Sequence, residues 1–81
     1  MNVRVKLFAL TQDLAGTDEV LLELTPPVTI ATVRAALAEA RPTLGPILPS
    51  CAFAVDNEYA TDSTTVNDQA EIACLPPVSG G

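Results

Sequence analysis

Apolar and polar residues alternate from residue 3 to residue 9, with Val3, Val5, Leu7 and Ala9 on one face and Arg4, Lys6 and Phe8 on the other. A period of two predicts a half-buried strand. The alternation returns at residues 19–24, where Val20, Leu22 and Leu24 face inward and Glu19, Leu21 and Glu23 outward. The stretch between them, Thr11–Asp18, is too long for a tight hairpin turn. It predicts one helical turn around Gln12–Ala15, stopped by Gly16.

Pro26-Pro27 ends the second strand, and the apolar period then lengthens. Ile30, Val33, Ala36, Leu37 and Ala40 fall at helical spacing and make one stripe. Thr29 is placed as the N-cap, because its hydroxyl can accept from an orphan backbone N–H. Arg41 is expected in the last turn, where a cation suits the helix dipole, and Pro42 bars continuation. Pro42–Pro49 reads as an irregular, proline-bounded connection. Ala52–Val55 and Glu58–Ala60 read as short strands around Asp56-Asn57, since Asn tolerates the left-handed backbone of a tight turn. Thr61–Gln69 reads as polar loop. Residues 70–75 alternate again, with Ile72 and Cys74 on one face and Glu71, Ala73 and Leu75 on the other.

The order β-β-α-β-β-β predicts an α+β fold: one mixed sheet with a single main helix laid across one face. The opposite face stays partly wet, and Phe8, Leu21 and Leu75 point into it. Apolar groups on a solvated face mark a docking surface. Tyr59, in a short strand, is expected to pack on its own sheet. Asp56, Glu58 and Asp62 lack calcium-loop spacing and read as a solvated turn.

Composition narrows the function. The 81 residues allow one domain. Net charge is −6 with four basic residues, too few to build a phosphate-binding patch, so nucleic acid is not an expected partner. A partner with a basic surface is favoured by the charge. Hydrophobic content is 48%, yet charges and prolines interrupt every apolar run before membrane-helix length, so no membrane is expected. The charged, alternating N-terminus is not a secretory signal, and a cytoplasmic location is expected. Cys51 and Cys74 sit in apolar stretches and read as small buried hydrophobes.

Residues 1–75 are expected to form the domain and residues 76–81 an extended tail. The tail is Pro76-Pro77-Val78-Ser79-Gly80-Gly81. Two prolines favour extended backbone, and six residues span roughly 20 Å. The glycine pair can thread a slot too narrow for any side chain and expose the terminal carboxylate to a partner's groups. A carboxylate is a poor electrophile until it is activated. The chain has no histidine base, no phosphate-binding glycine loop and no metal-ligand spacing, so activation falls to a partner and the chain acts as a carrier.

The opening strand Val3–Leu10, the segment Leu14-Ala15-Gly16-Thr17, the Ala54–Tyr59 hairpin and the ending Pro76-Pro77-Val78-Ser79-Gly80-Gly81 together resemble the small, sulfur-carrier subunits of molybdopterin synthase. The resemblance spans the chain and implies a ubiquitin-like β-grasp fold. It also implies a non-catalytic, sulfur-donating subunit of a sulfurtransferase. An adenylating enzyme using ATP and Mg²⁺ would activate Gly81, a sulfur-donor protein would supply sulfur, and a C-terminal thiocarboxylate would result. Gly81 and Gly80 would then enter the large subunit of the synthase, with Phe8, Leu75, Pro76, Pro77, Val78 and Ser79 as partner contacts, within a heterotetramer. There the sulfur would pass to a cyclic pyranopterin phosphate. Catalytic side chains belong to the large subunit in this scheme, and the chain itself binds no cofactor. The alternatives are a sulfur carrier for thiamin, cysteine or tRNA thiolation, or a ubiquitin-like modifier joined to lysines. In two turns the sequence departs from the family's usual pattern. Asp56-Asn57 stands where Asn-Gly is common and Asp68-Gln69 where Asp-Gly is common. Asn57 suits a positive φ better than Gln69 does.

Overall fold

A computed structural model of the chain describes residues 1–77. Its strands are β1 (Asn2–Leu7), β2 (Glu19–Glu23), β3 (Val28–Thr29), β4 (Ala52–Val55), β5 (Glu58–Ala60), β6 (Thr65–Val66) and β7 (Glu71–Leu75). The helices are α1 (Leu10–Ala15) and α2 (Ile30–Ala40). Two 3-10 turns, Pro42–Leu44 and Leu48–Ser50, fold the connection that the sequence left irregular.

The main sheet runs β2-β1-β7-β4-β5. β1 and β7 pair in parallel, and the other neighbours are antiparallel. The last main-sheet strand therefore lies between the first and the fourth, hydrogen-bonded on both edges. Helix α2 and the first 3-10 turn cover one face. Val3, Val5, Leu7, Val20, Leu22, Phe53, Ile72 and Cys74 from the sheet meet Ile30, Val33, Leu37, Leu44 and Leu48 in one core. Cys51 and Cys74 are buried free thiols, as their apolar surroundings predict.

Local rules place most of the boundaries. Gly16 ends α1 with φ 74° and a backbone bond to Gln12, the left-handed cap that glycine adopts without strain. Thr29 caps α2 as expected, and Thr32 returns the bond to the Thr29 N–H in a capping box. The inward stripe of α2 is Ile30, Val33 and Leu37, whereas Ala40 is exposed. Arg41 lies one residue beyond the last turn, with φ −134°. The ring of Pro42 forces its predecessor out of helical geometry, so the expected charge–dipole contact is displaced.

Thr61–Gln69 holds more structure than a polar loop. Val28 pairs with Val66 and Thr29 with Thr65. The carbonyls of Thr64 and Asp62 accept from the Ile30 and Ala31 N–H groups at 3.0 Å each. The first turn of a helix has N–H groups with no partner inside the helix, and this loop supplies two acceptors. The departures from glycine in the two turns also resolve. Asp56 and Asn57 both take positive φ, 50° and 69°. Gln69 avoids positive φ, because its N–H bonds the Asn67 side chain at 3.1 Å in an Asx turn.

Candidate functional site

The open face of the sheet is ordered by strand register. One row runs Glu19–Lys6–Ala73–Ala54–Tyr59 across all five main strands, and the next carries Leu21, Arg4 and Glu71. The charges gather over β2, β1 and the first residue of β7, where Arg4 lies 3.4 Å from Glu19 and Lys6 lies 3.8 Å from Glu71. The apolar residues gather over β7, β4 and β5. Toward the C-terminal end of β7, Leu75 pairs with Ala52, and Phe8 follows Leu7, the partner of Cys74.

Parallel pairing of β1 with β7 carries the consequence for the tail. Both strands finish at the same end of the sheet, so Phe8 from the start of the chain stands beside the root of the tail. Phe8 is 43% exposed, Leu75 and Pro76 are half-buried and Pro77 is exposed. These four sequence-predicted contacts are thus brought together at one end of the open face. Val78, Ser79, Gly80 and Gly81 lie outside the described residues.

Two residues change standing. Tyr59 does not pack on its own sheet: it is 81% exposed, the most exposed large apolar side chain among the described residues. β5 is an edge strand of three residues, and its neighbours along the row are the alanines Ala54 and Ala73, so nothing bulky covers the ring. Ala73 and Ala54 themselves were not singled out by sequence, because an alanine signals nothing until register sets it beside an aromatic. Leu21, 64% exposed, points outward as expected, but it sits in the charged half beside Arg4.

The two thiols are buried and poorly placed to act as nucleophiles. Cys51 is 5% exposed and Cys74 fully buried. Burial pushes the Cys51 thiol up, and burial together with the Cys51 neighbour pushes Cys74 up to about 12. A nucleophilic cysteine needs thiolate at neutral pH, and these two are held protonated. Among the described residues no three histidine, cysteine or acidic side chains converge to hold a metal ion, the Asp56, Glu58 and Asp62 group included. No described helix is long and apolar enough to cross a membrane.

A five-stranded mixed sheet with one main helix across one face and the other face open is the ubiquitin-like β-grasp arrangement. A likeness to the small archaeal modifier protein SAMP1 of Haloferax volcanii agrees, with TM-score 0.88 and 26% identity over the whole of both chains. Within that class the chain belongs to the ThiS family, whose profile matches residues 5–81. It is 32% identical over 83 residues to the molybdopterin synthase sulfur carrier subunit of Chlamydomonas reinhardtii, all of both chains being covered. The fold is also that of a chain in the complex of subunits 1 and 2 of the molybdopterin-converting factor from Helicobacter pylori, with TM-score 0.69, 24% identity and both chains fully covered.

Proposed function

We propose that this chain is the sulfur carrier of a molybdopterin synthase, with the C-terminal carboxylate of Gly81 as the group that is loaded. The observation that carries the reading is the full-length identity to a named sulfur carrier subunit, 32% with no part of either chain left over. The geometry supports it. The tail leaves a strand bonded on both edges, so its root is fixed.

In this scheme a Gly81 carboxylate oxygen attacks the α-phosphorus of ATP on an activating enzyme and pyrophosphate leaves. A sulfide-level donor then attacks the carbonyl carbon, and AMP departs with the former carboxylate oxygen. The product is a thiocarboxylate. The apolar half of the open face, Phe8, Tyr59, Ala73 and Leu75, docks on the large subunit, and Pro76-Pro77 directs Val78, Ser79, Gly80 and Gly81 into its active site, where the sulfur passes to a cyclic pyranopterin phosphate. Docking of apolar groups needs little from the chain's own chemistry, which suits a carrier whose thiols are protonated and buried.

Intact mass spectrometry tests the reading. After incubation with ATP, Mg²⁺, a sulfur donor and the cognate activating enzyme, one terminal oxygen is replaced by sulfur, and large subunit with pterin precursor then consumes that sulfur. A mass unchanged by a competent activating enzyme defeats the carrier reading. The likeness to an archaeal modifier protein favours a second reading, attachment to protein lysines. Lysine adducts formed in cell extract, with no thiocarboxylate, would select it.

A further inference from the structure

Thr11 is the one polar side chain fully buried among the described residues. A hydroxyl is stable in such a place only if it is bonded, and both of its bonds go to a single residue. The Thr11 hydroxyl accepts from the Phe8 N–H at 3.0 Å and donates to the Phe8 carbonyl at 2.7 Å. The Thr11 N–H adds a third bond to that carbonyl at 3.1 Å. β1 ends at Leu7, so the threonine takes over where the ladder stops. The next residue, Ala9, has φ 50°, a left-handed value that a non-glycine residue holds only when its surroundings enforce it. The chain turns off the sheet there, directly after Phe8.

From this we infer that Thr11 is a positioning residue for partner docking: it fixes the backbone of Phe8 so that the ring stands at the tail end of the open face before the partner arrives. The inference rests on the docking reading above. A side chain whose backbone is already fixed loses less freedom on binding. The partner feature it fits is an apolar pocket beside the mouth of the slot that admits the tail. Thr11→Val keeps the branched shape and volume but loses both hydroxyl bonds to Phe8, leaving only the backbone one. The freed Phe8 N–H can then turn to water, which releases the segment without emptying the core.

The test is a double-mutant cycle on binding to the large subunit, by calorimetry, at a temperature where near-UV circular dichroism shows every variant folded. Thr11→Val is expected to weaken binding about tenfold, the scale of one lost buried hydrogen-bond partner. Thr11→Ser, which keeps the hydroxyl, restores it to within about threefold. In a Phe8→Ala background Thr11→Val has no further effect, whereas a general loss of structure would act in both. Phe8→Ala weakening binding while Thr11→Val does not, or Thr11→Val costing as much without the ring, overturns the positioning role alone. Phe8→Ala binding like the unaltered chain overturns the docking reading with it. Hydrogen exchange on the unaltered protein covers the case of a variant that fails to fold: the Phe8 amide is expected to exchange at least about tenfold more slowly than that of Leu10. Equal rates overturn the positioning role.

Discussion

Cys74 faces the core from β7 opposite Phe53, and Cys51 lies two residues before Phe53 on the same face. Desolvation leads both shifts, and for Cys74 the Cys51 neighbour adds to it, carrying the thiol to about 12. In the unfolded chain the thiols titrate near their ordinary value, about 8.5. The unfolded state therefore gives up these protons first. The stability they contribute is complete below about pH 8.5 and is lost as pH rises toward 12. Thermal melts should show Tm falling by more than about 4 °C between pH 8.5 and 10.5, with a flatter slope in Cys74→Ala. Equal slopes in the two proteins would remove the thiol as the cause. At the same scale, Asn57 was readable as a left-handed turn residue because its short amide tolerates that backbone. Gln69 was not readable, since its way out uses the Asn67 side chain.

Between elements, Arg34 matters most, and no local pattern marks it. It sits on α2, outside the apolar stripe. Its guanidinium donates to the carbonyls of Leu48 and Cys51, to Asp62 at 2.9 Å, and lies 4.8 Å from the centre of the Phe53 ring. One side chain thus ties the second 3-10 turn and the loop after β5 to the helix. Its Asp62 partner is 62% exposed, so the ion pair adds little, and the two carbonyls carry the effect. Arg34→Met should cost about 2 kcal/mol in urea denaturation, with Arg34→Lys recovering less than half, because an ammonium cannot span the three acceptors. A loss below about 0.5 kcal/mol would show that water replaces the guanidinium freely. Helix α2 itself was legible from Thr29, the 30-33-37 stripe and Pro42, since these signals act within a few residues. The β3–β6 pair was not, because two residues make no period.

Across the whole molecule, the open face separates charge from apolar surface, and the tail leaves from the apolar end. Tyr59 is 81% exposed, so on the proposed docking it is expected to matter for binding and little for folding. Tyr59→Ala should leave stability within about 0.5 kcal/mol yet weaken binding to the large subunit about tenfold, as an aromatic anchor does. Ala35→Glu, on the exposed side of α2, should leave binding unchanged. Calorimetric titration of both variants checks this. Full binding by Tyr59→Ala with loss in Ala35→Glu would move the interface to the helix side.

The sequence by itself determined the alternating strands, the capped helix, the order that lays one helix across a mixed sheet, and the side-chain-free ending. These depend on periodicity and on short-range backbone chemistry. Tertiary structure alone decided the company those elements keep. Parallel pairing of β1 with β7 brings Phe8 to the root of the tail, register sets Tyr59 in line with Ala54 and Ala73, and Thr11 and Arg34 find their acceptors only after the chain has turned. Such neighbours arise from hydrogen-bond register and packing between distant segments, which no local pattern records.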